Sequence, residues 1–188
     1  MNPAERGAYI LVMRVDASVR IRVGSLGLLS FAAGWYVYVG SALNGLSARV
    51  GRHLRLRKAI RWHIDYLRPA ADRVSAFLFP SHRDIECVLA QELRRISSDQ
   101  VAHFGSSDCT CFSHLFYFDR NPVLTEDFRL FLDRNGGIVG RPAASDSCRG
   151  ITQTARETKR LSRRVCRCQT PKSEMHFPRR SQYHQWCS

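Results

Sequence analysis

The chain has 188 residues, 44% of them hydrophobic, and carries a net charge of +13. That is enough apolar material for one domain with a core, and the charge favours an anionic partner, nucleic acid being the commonest. No apolar run reaches the ~20 residues that span a bilayer, which argues against a membrane protein. Met1 to Arg6 lacks the basic and apolar regions of a secretory signal, so the cytoplasm is the expected compartment.

The elements follow from periodicity. Ala8 to Val15 is apolar, β-branched and bounded by Gly7 and Asp16, which predicts a buried strand. Arg20 to Val23 alternates polar and apolar like a half-exposed strand. After a turn at Gly24 to Gly27, Leu28 to Phe31 returns as its hairpin partner. Trp35 to Val39 is a further strand, and Gly40 to Gly45 a loop. Leu46, Val50 and Leu54 recur every four residues, which predicts a helix over 46–58. Arg49 and His53 stack on one face of it. Residues 62–68 read as a short helical segment ended by Pro69. Val74 to Phe79 is a strand, and Asp84 is placed to cap a helix reaching Ile96. His114 to Phe118 predicts another strand and Leu124 to Leu132 a last short helix.

The organisation expected is a domain over 6–119, an extension over 120–140, and a tail over 141–188. The tail holds eleven basic and three acidic residues and little apolar periodicity. Such a segment cannot bury enough surface to offset its ordering entropy, so disorder is expected. A second basic cluster lies inside the domain: Arg49, Arg52, Arg55, Arg57, Lys58 and Arg61, with no acid over 49–61.

Certain residue types in this order suit phosphodiester chemistry, which needs a held nucleophile, proton transfer, charge neutralisation on the phosphate and help for the leaving oxygen. A tyrosine hydroxyl (Tyr9 or Tyr38) can hold a water. The Arg49 guanidinium offers a planar fork of donors to phosphate. His53 titrates near neutrality. Glu86 suits a divalent cation such as Mg²⁺ or Mn²⁺. Taken singly, each residue type has an ordinary explanation: strand tyrosines pack, helix arginines are solvated, and a lone glutamate is surface charge.

The constellation is more specific. Gly7-Ala8-Tyr9, Tyr38-Val39-Gly40, a helix with Arg49 and His53, then a helix with Glu86 resembles the GIY-YIG nuclease superfamily in order and residue type. The strings Trp62-His63-Ile64-Asp65-Tyr66-Leu67, Glu86-Cys87 and Phe104-Gly105-Ser106-Ser107-Asp108-Cys109 resemble its Uri-type branch of small prokaryotic proteins. The resemblance covers about residues 6–119. It implies an α/β fold: a small, mainly antiparallel central sheet flanked by helices, with a strand pair inserted between the two tyrosine motifs. It also implies that Tyr9, Tyr38, Arg49 and Glu86 line one face of that sheet, Glu86 holding the metal. His53 falls where many members carry histidine or tyrosine. The chain departs from the pattern where members often supply a late asparagine, offering Ser106, Ser107 and Asp108 there.

The expected function is therefore metal-dependent endonucleolytic cleavage of DNA, RNA not being excluded. Arg52, Arg55, Arg57, Lys58, Arg61 and His63 are the candidate nucleic-acid contacts. His63 and Asp65 could instead buttress the site. The alternative is a non-catalytic nucleic-acid-binding module that uses the 49–61 face and the tail.

Seven cysteines without a secretory signal point to reduced thiols. Cys87, Cys109, Cys111 and His114 are soft ligands that suit a structural zinc. Free buried thiols are the favoured reading. In an extended 109–114 stretch the two cysteines point one way and His114 the other.

Overall fold

The structure is a computed structural model, and it describes residues 6–43 and 45–140. The expected tail over 141–188 lies outside the described residues. The chain forms, in order, β1 (Gly7–Val15), β2 (Val19–Arg22), β3 (Leu28–Phe31), β4 (Gly34–Ala42), α1 (Leu46–Leu54), α2 (His63–Leu67), β5 (Arg73–Pro80), α3 (Glu86–Ile96), β6 (Asp99–Gln100), β7 (Leu115–Phe118), α4 (Glu126–Asn135) and β8 (Ile138–Val139).

Six strands make one sheet in the order β6-β7-β4-β1-β5-β8, and every pairing is antiparallel. The class is the α/β one expected, and β2 and β3 form the inserted pair as a separate ribbon. β1 is central, so both its faces must be covered, which explains its unbroken apolar run. Side chains alternate along it. Tyr9, Leu11, Met13 and Val15 pack with α1, α2 and the ribbon. Ala8, Ile10 and Val12 pack with Leu89, Ala90 and Leu93 of α3 and Phe128 and Phe131 of α4. The result is three layers, helices on each side of the sheet.

Three expectations are corrected. Helix α1 stops at Leu54 rather than Lys58, with Arg55 already extended. Two basic side chains end it: Lys58 Nζ donates to the His53 carbonyl at 3.1 Å and Arg68 to that of Leu54 at 3.1 Å. These carbonyls have no partner inside the helix, so capping by cations is favourable. Second, no break separates 120–140 from the domain. Helix α4 buries Phe128 and Phe131 in the core, and β8 adds an edge strand to β5. Third, α4 begins at Glu126, because the Thr125 hydroxyl accepts from the Phe128 amide as its N-cap. Leu124 belongs to a preceding 3₁₀ turn and stays exposed. Asp84 stands one residue outside the cap position of α3, yet its carboxylate still accepts from the Glu86 amide at 3.2 Å.

No described helix is long and apolar enough to cross a membrane.

Candidate functional site

Residue register between β1 and β4 builds the centre of the site. Tyr9 pairs with Gly40 and Leu11 with Tyr38, so both tyrosines rise from the same face on neighbouring strands. Their ring centroids lie 6.4 Å apart. A β-carbon at position 40 would collide with the Tyr9 phenol, so the glycine of the second motif exists to let the first motif's ring lie across it. Gly105, at φ +76°, gives the Tyr38 ring similar room.

Helix α1 crosses above the tyrosines. His53 is fully buried, and its Nε2 stands 2.8 Å from the Tyr9 hydroxyl. Its Nδ1 faces Asp65 Oδ1 at 3.5 Å. Burial, followed by the Lys58 charge, lowers the His53 pKa to about 4, so the ring is neutral at pH 7. A neutral ring with Nδ1–H toward Asp65 leaves Nε2 to accept the Tyr9 proton. Burial and then Tyr38 hold the Tyr9 phenol well above its ordinary value, with Arg49 opposing. Tyr38 is likewise raised, first by burial and then by Glu86.

Asp65 organises the basic segment. Its carboxylate, fully buried, accepts from both terminal nitrogens of Arg52, from Lys58 Nζ at 2.9 Å, and from the amides of Arg61 and Trp62. Burial alone would raise its pKa. The hydrogen bonds of Arg52, Lys58 and Arg61 outweigh that and hold it well below the usual carboxylate range. Arg52 and Lys58, expected to face nucleic acid, are thus engaged inside the fold. Arg55, Arg57 and Arg61 are exposed. Of the two readings of His63, the buttress is the one seen: its Nδ1 accepts from the Gly105 amide at 3.1 Å, and its ring still borders the cleft. Asp65 is a buttress as well.

Beside these groups opens a cleft of about 530 Å³ bordered by Tyr9, Tyr38, Arg49, Arg61, Glu86 and Asp108. The Arg49 guanidinium lies 4.3 Å from the centre of the Trp62 ring, a cation–π contact that steadies it at the cleft wall. Helix α3 packs on the far face of the sheet, but Glu86, in its first turn, reaches the cleft. Its Oε1 lies 2.8 Å from His114 Nδ1. Oε2 has no protein partner among the described residues. Of the three candidates for the last site member, Ser107 and Asp108 border the cleft, whereas Ser106 is buried.

The second cluster also comes together. Residues 109–114 pass through bends at 109, 110, 112 and 114 and form no strand, so the objection to His114 facing the two cysteines does not hold. One ligand atom each from Cys87, Cys109, Cys111 and His114 lie within 4.8 Å of one another. Burial and the neighbouring thiols push the Cys87 thiol up to about 12, and Cys111 is also raised, first by burial.

Sequence reasoning missed the Asp65–Arg52–Lys58 pairing and the His114–Glu86 contact. An acid three residues into α2, below an acid-free basic run, was the available signal for the first. Nothing local signals the second.

The fold and cleft define an antiparallel α/β domain with a tyrosine-lined site that carries charges of both signs. A family model described as the domain of unknown function DUF123 matches residues 8–136, and the chain belongs to that family. No curated protein and no solved structure matches the chain.

Proposed function

We propose that this protein is a divalent-cation-dependent endonuclease of the GIY-YIG type that cuts DNA. The observation that carries the reading is the convergence of Tyr9, Tyr38, Arg49 and Glu86 on one cleft, although they come from β1, β4, α1 and α3.

Glu86 would hold a Mg²⁺ or Mn²⁺ ion, which prefers few carboxylates and keeps several waters. The unpartnered Oε2 of a carboxylate already oriented by His114 fits that need. When bound, the ion supplies positive charge for the leaving oxygen. The protein's own groups do the rest. The Tyr9 hydroxyl, donating to His53 Nε2, turns its oxygen to accept from a water in the cleft. As that water attacks phosphorus and the bond from phosphorus to the leaving oxygen breaks, the water's proton passes to the Tyr9 oxygen while the Tyr9 proton passes to His53. Asp65 then faces the resulting imidazolium. This route never requires a free tyrosinate, which burial makes costly. Tyr38 positions the water or phosphate from the neighbouring strand. Arg49, free of ion pairs among the described residues, presents its fork to the phosphate charge that grows during attack.

A second reading, a non-catalytic nucleic-acid-binding module, is favoured by exposed Arg61 at the cleft and by exposed Arg55 and Arg57 in the same basic segment. One experiment separates the two. The chain is incubated with plain, nicked and branched DNA and with RNA, in Mg²⁺ and in EDTA, beside Glu86→Gln. Cleavage of DNA that stops in EDTA and in Glu86→Gln, with binding retained, is expected. Wild-type rates in Glu86→Gln or in EDTA overturn the metal assignment. Binding without cleavage of any substrate establishes the module.

A further inference from the structure

We propose that Cys87, Cys109, Cys111 and His114 form a zinc site, and that this ion orients Glu86 through the His114 ring. The zinc site stands by itself, while its bearing on catalysis rests on the nuclease reading above.

The four ligand atoms come from two segments far apart in the chain. Cys87 is the second residue of α3, and Cys109, Cys111 and His114 lie in the turns that lead into β7. Zinc–sulfur distances of about 2.3 Å and zinc–nitrogen distances of about 2.0–2.1 Å place sulfur and nitrogen about 3.6 Å apart on a tetrahedron. Cys109 Sγ and His114 Nε2 are 3.5 Å apart. The whole set, within 4.8 Å, closes onto an ion with movements of about an ångström. The three cysteines are free. Thiols are weak hydrogen-bonding groups, and a disulfide would engage only two of them. Three thiols and an imidazole at one point are the donor set of a closed structural zinc site.

The second observation is independent of the sulfurs. His114 is buried, and its Nδ1 lies 2.8 Å from Glu86 Oε1. A carboxylate accepts, so the ring proton sits on Nδ1. The other nitrogen, the one facing Cys109, is then the unprotonated one that a metal requires. Carboxylate, histidine and zinc in line is the arrangement by which an outer acid fixes a ligand's tautomer. Here the same acid borders the cleft. The ion therefore joins the start of α3 to the loop carrying Gly105, Ser107 and Asp108, and it sets the direction of Glu86. His114 is a positioning residue in this scheme.

The test uses the full chain purified under reducing conditions. Elemental analysis should find about one zinc per chain. Cobalt substitution should give the thiolate charge-transfer band and intense visible bands of a tetrahedral site. Cys109→Ser and Cys111→Ser should lose the metal. In competition with a chelator, Glu86→Ala should bind zinc about 10- to 100-fold more weakly. A wild-type chain that takes up no zinc on reconstitution, or zinc retained in both cluster variants, overturns the site. Unchanged zinc affinity in Glu86→Ala overturns the link to Glu86. An inactive chain that carries one zinc supports the site and counts only against the nuclease reading.

Discussion

Tyr9 lies across Gly40: the two are paired in register on adjacent strands, and the phenol fills the space that a β-carbon at position 40 would need. The glycine and the tyrosine of the two motifs are therefore a single steric unit, and the ring so placed meets His53. Gly40→Ala should cost about 1–3 kcal/mol by overpacking, because the ring is buried and the backbone of β4 is held on both sides. It should also slow cleavage by moving the hydroxyl off His53. Denaturant unfolding beside a cleavage assay checks both, and wild-type values in both would show that the ring has room to shift.

Tyr9→Phe and Tyr38→Phe each remove one hydroxyl from the cleft, and both should slow cleavage while leaving DNA affinity nearly intact. They should differ in stability. Tyr9→Phe leaves the buried Nε2 of His53 without a donor, at a cost of about 1–3 kcal/mol. The Tyr38 hydroxyl has no protein partner among the described residues, so its loss should leave the unfolding midpoint where it is. Equal destabilisation by the two variants is the result that contradicts this.

Acid should destabilise the protein in two stages. His53 titrates at about 4 in the fold against 6.5 ordinarily. Below pH 6.5 the unfolded chain takes up a proton that the folded chain refuses, so stability falls between about pH 6.5 and 4 and that loss is complete below 4. The fall is on the order of 3 kcal/mol. Asp65 is depressed, so its contribution is whole above the ordinary carboxylate range and is lost as pH drops below it. His53→Gln should flatten the slope between pH 6.5 and 4 and leave the lower stage. Unfolding free energies measured over pH 3–7 decide the matter, an unchanged slope in the variant being the adverse outcome.

The arginines divide into two groups with opposite signatures. Arg55→Ala, Arg57→Ala and Arg61→Ala should each lower the slope of log K against log salt by about 0.9 on duplex DNA where the side chain meets phosphate, with little change in stability. Arg52→Ala should do the reverse. It withdraws the bidentate partner of a fully buried carboxylate and should destabilise by on the order of 3 kcal/mol, with the salt slope unchanged. Salt titrations of affinity and thermal unfolding across the four variants test the division. A reduced slope in Arg52→Ala with normal stability would mean that Asp65 does not hold it.

Local pattern determined much of this protein. The unbroken apolar run of β1, the fourfold stripe of α1 and the acid ahead of α3 each specify an element through contacts within a few residues. Those elements carry Tyr9, Arg49, His53 and Glu86, and Tyr38 stands on β4. The i,i+4 spacing alone put Arg49 and His53 on one face. Tertiary structure decided what each charge and each thiol meets. Arg52 and Arg55 are alike as residues three apart in a basic run, but only Arg52 reaches a carboxylate thirteen positions on. His114 and the cysteines depend on the path of the turns before β7 and on where α3 starts. A side chain's chemistry is local, whereas its partner is set by sheet register and loop path. That is why the residue kit was legible in the sequence and the Asp65 pairing and the His114 link to Glu86 were not.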